Sequence, residues 1–304
     1  MRVAPAIALA AIWTLIPCSI ASLGAAGTPL IEAVRSRDAA RVKDLVKGRA
    51  DVNAPQGDGS TALHFAVHLD DAVLVDYLLE VGARPDVPND LGVTPLYISC
   101  TNRNGGLTER LLKVGANPNA ELPNGETVLM NCARTGSAQG VRALLAKGAK
   151  VNEKESAHDQ TALMWAAAQG QSEAVAALVK AGADLHARSR VYQQTVTSEV
   201  TQRAGREELN YTVPRGGMTP LLFAARSGDV ETARVLVDAG ADKNETMPDG
   251  TPALTLAAYS GHTGVATLLL EKGLITESEL AAKSAEIRAR FNVPGALPSS
   301  AGTS

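Results

Sequence analysis

Aromatic residues make up only 3% of this 304-residue chain. Proteins that grip single-stranded nucleic acid stack bases on aromatic side chains along a basic groove. Here 29 Lys and Arg face 32 Asp and Glu, a net charge of −3, with no long run of either sign. Neither half of that recognition chemistry is present. Cysteine is scarcer still, at three residues, too few for a disulfide framework. Five histidines occur, and none pairs with a serine or cysteine nucleophile and an orienting carboxylate in a recognisable pattern. Gly105-Gly106 lacks the strand and lysine context of a phosphate loop. The spacing closest to a metal motif is His64 and His68, four apart on one predicted helix. No catalytic, cofactor or metal site is therefore expected.

What the chain has in abundance is repetition. Thr28, Thr61, Thr94 and Thr127 follow one another at intervals of 33 residues, and Thr161 comes 34 later. Thr219 resumes the pattern after an insertion, and Pro252 occupies the same slot 33 residues on. Seven copies of one unit thus run from Thr28 to about Gly273. A period of this length marks a stacked array whose units cannot bury their apolar faces alone.

Each position in the unit has a physical task. Threonine caps a helix N-terminus, and the Pro or Ala after it loses no needed hydrogen bond. Small residues such as Ala66, Ser99, Cys132 and Ala166-Ala167 let this first helix approach its neighbours. A glycine often ends it, as at Gly136, Gly170, Gly228 and Gly261, but repeats two and three lack one there. A second helix carries paired apolar residues, among them Leu78-Leu79, Leu111-Leu112 and Leu144-Leu145, at the spacing of one buried stripe. It stops at Gly-Ala in repeats two to six, while in repeat one Arg49 replaces the glycine. A polar extended piece such as Asp51-Val52-Asn53 follows, and a glycine turn closes the unit at Gly59, Gly92, Gly125 and Gly250.

Helix, tight turn, helix and β-turn, with Thr-Pro-Leu opening the unit and Leu-Leu-x-x-Gly-Ala closing it, resemble the ankyrin repeat. The resemblance covers about four-fifths of the chain, residues 27–273. It implies an all-α repeat solenoid of about seven helix-turn-helix repeats with β-turn fingers. It also implies structural hydrogen-bonding roles for His64 and His262. A non-catalytic interaction module or scaffold follows from the same likeness, holding another protein on a concave face of finger tips and first helices. No nucleic acid, metal or cofactor is implied, and the expected state is a monomer. Carried over by position, the finger candidates are Asp58, Ser60, Leu91, Val93, Glu126 and Met218. The helix-face candidates are His68, Asn102, Arg134, Gln169, Arg226 and Tyr259.

The ends depart from the pattern. Residues 1–26 combine one basic residue, an apolar run from Val3 to about Leu23 and a small-residue exit, which reads as a secretory signal peptide. An uncleaved anchor and lipidation at Cys18 are the alternatives. An exported chain of this family resembles a bacterial periplasmic protein, or else a secreted one. A chaperone-like or protective accessory factor for an envelope enzyme is the alternative function. Cys100 and Cys132 fall at small buried slots of adjacent first helices. Neighbouring helices lie roughly 8–10 Å apart, farther than a disulfide allows between α-carbons, so both read as separate core residues. Residues 188–216, between repeats five and six, show no repeat signal and read as a flexible loop, or else as a long docking finger anchored by Tyr192 and Tyr211. Thr276-Glu277-Ser278-Glu279 opens a predicted capping helix over 274–293, followed by a Pro/Ser/Gly-rich tail over 294–304, expected to be disordered.

Overall fold

The computed structural model describes residues 28–202 and 205–272, with the side chains of 197–211 excepted. The leader, the capping helix and the tail expected from sequence lie outside the described residues.

Helix pairs follow one another in register with the 33-residue period. They are α1 (Pro29–Arg35) with α2 (Ala39–Lys47), α3 (Ala62–His68) with α4 (Ala72–Glu80), and α5 (Pro95–Thr101) with α6 (Gly105–Lys113). Then come α7 (Val128–Thr135) with α8 (Ala138–Ala146) and α9 (Ala162–Ala168) with α10 (Ser172–Lys180). After two strands, β1 (Val191–Gln202) and β2 (Gly205–Gly216), the pairs resume as α11 (Pro220–Ser227) with α12 (Val230–Asp238) and α13 (Ala253–Tyr259) with α14 (Thr263–Glu271).

The anchor threonines behave as caps. Thr94 Oγ1 accepts from the Tyr97 amide at 3.2 Å, and Thr127 Oγ1 from Met130 at 3.2 Å. Thr28, Thr161 and Thr219 make the equivalent bond. Pro252 has no side-chain acceptor, so α13 starts without that bond.

First helices form one row, with α1 against α3 and so on through α13, and second helices form another from α6 to α14. Between the rows lies a continuous core that includes Leu63, Leu78, Leu96, Leu111, Leu129, Leu144, Leu163 and Leu178. Asparagines of the extended pieces tie several repeats to the next. Asn53 Nδ2 donates to the Gly82 carbonyl (3.0 Å) while its Oδ1 accepts from the Arg84 amide (2.8 Å). Asn119 and Asn152 repeat this clamp on the next repeats, satisfying carbonyls that a helix end leaves open.

Three features differ from the sequence reading. Residues 188–216 are not an irregular loop: β1 and β2 pair antiparallel over their full length, from Val191 opposite Gly216 to Gln202 opposite Gly205. The hairpin base is bonded, with Ser189 N donating to the Met218 carbonyl and Met218 N to Ser189 Oγ, both at 3.0 Å. Cys100 and Cys132 are not separate core thiols but a disulfide, with α-carbons 4.6 Å apart. The spacing between helix axes misleads here. Each α-carbon sits about 2.3 Å from its own axis, so facing residues on closely packed helices come well within reach. Gly140 makes room, since a Cβ there would lie 2.7 Å from Cys132 Sγ. Finally, repeats one to three keep the same inter-helix turn without its glycine. Arg37, Asp70 and Arg103 adopt φ of +56°, +58° and +60°, where later repeats have glycine. Arg49 likewise takes φ +66° at the end of α2.

A non-glycine residue in that conformation costs roughly 1–2 kcal/mol, partly offset by the greater unfolded-state freedom of glycine. Arg103→Gly should therefore raise stability by about 0.5–1 kcal/mol, read from urea denaturation. Reduction should act in the opposite sense: the bridge spans 32 positions in sequence, and opening it should cost roughly 3–4 kcal/mol. A melting temperature unchanged by reductant, with Cys100 and Cys132 both reacting as thiols after denaturation without reductant, would show that the bridge does not form.

Candidate functional site

Between the end of one second helix and the next first helix, each chain segment makes a turn braced by side chains. Asp58 shows how. Its carboxylate accepts from the Ser60 amide (2.8 Å) and from Gln56 Nε2 (3.0 Å). Partial burial pulls its pKa upward, but these hydrogen bonds prevail and hold it below the ordinary carboxylate value. Leu91, at the next finger tip, is 71% exposed. Val93 is half-buried, and its carbonyl faces His64.

His64 fulfils the structural role expected of it. The Thr61 amide donates to Nδ1 (3.1 Å), so Nε2 carries the proton and donates to the Val93 carbonyl (3.0 Å) of the next finger. Burial of the ring lowers its pKa below 6.5. His262 makes the comparable bond, from Nε2 to the Arg226 carbonyl at 3.0 Å. Among the described residues no group of three or more His, Cys, Asp or Glu could hold a metal ion.

The middle of the first-helix row carries a polar network. The Tyr97 hydroxyl donates to Glu126 Oε1 (2.7 Å), and burial, with the Glu126 charge beside it, pushes the phenol pKa up so that it stays a donor. Arg134 Nη2 donates to Asn131 Oδ1 (2.7 Å) and lies 3.9 Å from Glu126 Oε1. Its guanidinium stands over Trp165, 5.4 Å from the ring centre. Asn131 in turn donates to the Tyr97 carbonyl and to Thr101 Oγ1. At one end of the row Arg35 covers Phe65 at 4.2 Å, and towards the other Arg226 lies 5.0 Å from Phe223.

The residues predicted to face a partner thus divide. His68, Gln169, Arg226 and Tyr259 are exposed along the first-helix row, Tyr259 at 81%. Tyr192 is 44% exposed at the base of the hairpin. Tyr211 pairs with Val196 across the strands, and its side chain lies outside the described residues. Asn102 is half-buried and donates to the Val67 and His68 carbonyls. Ser60, Glu126 and Met218, at 6%, 8% and 4% exposure, point inward and brace the fingers instead of presenting side chains. Each sits just before a capping threonine, where the chain turns under its neighbour. Trp165 and Phe65 are half-buried beneath arginines, an arrangement that residue spacing alone did not reveal.

Paired helices stacked in two rows, with an uninterrupted core and a chemically varied exposed row, define a repeat scaffold of the kind that recognises macromolecules by surface. A model of ankyrin repeats (3 copies) matches residues 30–121, 102–189 and 198–279, so the chain belongs to the ankyrin repeat family. The crystal structure of the human ASB11 ankyrin repeat domain superposes with a TM-score of 0.63 over 82% of this chain and 99% of that one, at 24% identity. Over 63 residues the chain is 44% identical to the ankyrin repeat and KH domain-containing protein mask of Drosophila melanogaster. That stretch is 20% of this chain and spans 2% of that protein's length. Ankyrin repeats are generally protein–protein interaction modules and typically non-enzymatic.

His64 makes stability depend on pH with a defined sign. The folded ring resists protonation more than the unfolded one, so its contribution is complete above pH 6.5 and is lost as pH falls below that value through the folded pKa. His186, raised by its hydrogen bond to Glu245, acts oppositely from an exposed position where solvent screens it. His64→Gln should lower the melting temperature at pH 7.5 and flatten the fall between pH 7 and pH 5. An equally steep fall in the variant would remove His64 as its source.

Proposed function

We propose that this chain is a non-catalytic binding module that holds another exported protein on the concave side formed by its first helices and fingers. The observation that carries this reading is the run of exposed His68, Gln169, Arg226 and Tyr259 along one row of a stack whose interior is otherwise closed. These side chains differ in charge, size and hydrogen-bonding capacity, as selective recognition requires, and they stand on helices that hold their positions. Aromatic residues and arginine are over-represented among the few residues that dominate binding energy.

Export is supported by the leader-like residues 1–26 and by the Cys100–Cys132 bridge, since disulfides persist in oxidising compartments. On this proposal the scaffold is a monomer that engages its partner without nucleotide or metal.

Photo-reactive residues placed singly at His68, Gln169 and, as a control, at exposed Arg142 on α8 test the reading in the intact cell envelope. Adducts with one defined protein should form from the first two positions and not from Arg142. Equal cross-linking from Arg142, or no adduct from the first-helix row, would overturn it.

A further inference from the structure

Arg134 and Arg226 occupy equivalent places near the ends of α7 and α11, yet their surroundings differ. Arg134 is engaged by Asn131, Glu126 and Trp165. Arg35, in the corresponding region of repeat one, donates to Gln56 Oε1 at 3.1 Å. Arg226 lies against Phe223 and near the Tyr192 phenol, and among the described residues no carboxylate comes within 4.0 Å of it. Its neighbour at the same place in the next repeat is Tyr259, the most exposed large apolar or aromatic side chain among the described residues. One flank of Arg226 is open to solvent, while protein atoms crowd the guanidinium enough to lower its pKa, the Tyr192 phenol opposing.

We propose that Arg226, with Tyr192 and Tyr259 beside it, is the anchor for an acidic segment of the bound protein, whose carboxylate the guanidinium takes as its counter-ion. This rests on the reading that the first-helix row receives a partner, and it adds the chemistry of the contact. A guanidinium presents a planar fork of donors that a carboxylate matches with two parallel bonds. Phe223 and the surrounding protein already displace part of the water around the guanidinium, so part of the desolvation cost falls on folding and not on binding. The tyrosines offer rigid aromatic surface to an apolar neighbour of the acid. Repeat seven, through Tyr259, forms one side of the anchor.

Random twelve-residue peptides displayed on phage and selected on the full chain supply the probe. The expected consensus contains Asp or Glu adjacent to an apolar or aromatic residue. The best such peptide, made synthetically, should bind Arg226→Gln roughly ten- to a hundredfold more weakly than wild type. Arg226→Lys should recover only part of the loss, and thermal melts should show all three forms equally folded. Enrichment of neutral or basic peptides, absence of any enriched peptide, or unchanged affinity for Arg226→Gln would each overturn the anchor. If His68→Ala or Gln169→Ala weakened binding while Arg226→Gln did not, the row would remain a binding surface and only the anchor would fall.

Discussion

Burial between consecutive repeats is the constraint on which the rest of this molecule depends. A helix seven residues long, such as α3 or α9, is far too short to persist alone. It holds its shape because Leu63 or Leu163 is sealed by the helices before, after and behind it. The same condition explains why small residues recur on the first helices, since a larger one would push neighbouring helices apart. It also explains the directional polar ties. His64 reaches the next finger, and Asn53, Asn119 and Asn152 reach the next helix end, so a repeat left without its neighbour would lose these bonds together with its apolar contacts.

The proposed binding role draws on surplus side chains in this arrangement. One stripe of each first helix must face inward and another is left over, and the leftover stripes of successive repeats line up because the repeats do. His68, Gln169, Arg226 and Tyr259 differ freely, since packing does not dictate them. The network of Tyr97, Glu126, Asn131 and Arg134 lies between these regimes, with polar atoms whose partners come from two successive repeats and a guanidinium that reaches over Trp165 of a third. It stiffens the middle of the row next to the disulfide that joins α5 to α7.

Much of this was legible in the sequence, and the reasons for success and failure are physical. The paired leucines and capping threonines disclosed the helices because each residue is constrained at one recurring place. His64 was interpretable because its repeat position assigns it a bond. The disulfide was missed because spacing between helix axes was used where spacing between facing α-carbons governs. The hairpin was missed because Val191–Gln202, though rich in valine and threonine, lies between helical repeats and lacks their period. Ser60, Glu126 and Met218 were misplaced because a finger exposes its tip and hides the residue before the next cap. Arg103 shows that a missing glycine need not alter the path, only its energy.

Repeats five and six pack against each other in the same two rows as the other repeats, α9 against α11 and α10 against α12, although two twelve-residue strands separate them in sequence. The chain leaves the stack at Arg190 and returns at Gly217, and the backbone bond between these two closes the gate behind it. That junction is a socket. Whatever is plugged into it changes what the surface displays while the columns of helices stay in step, so evolution could exchange the cartridge there at little cost to the scaffold.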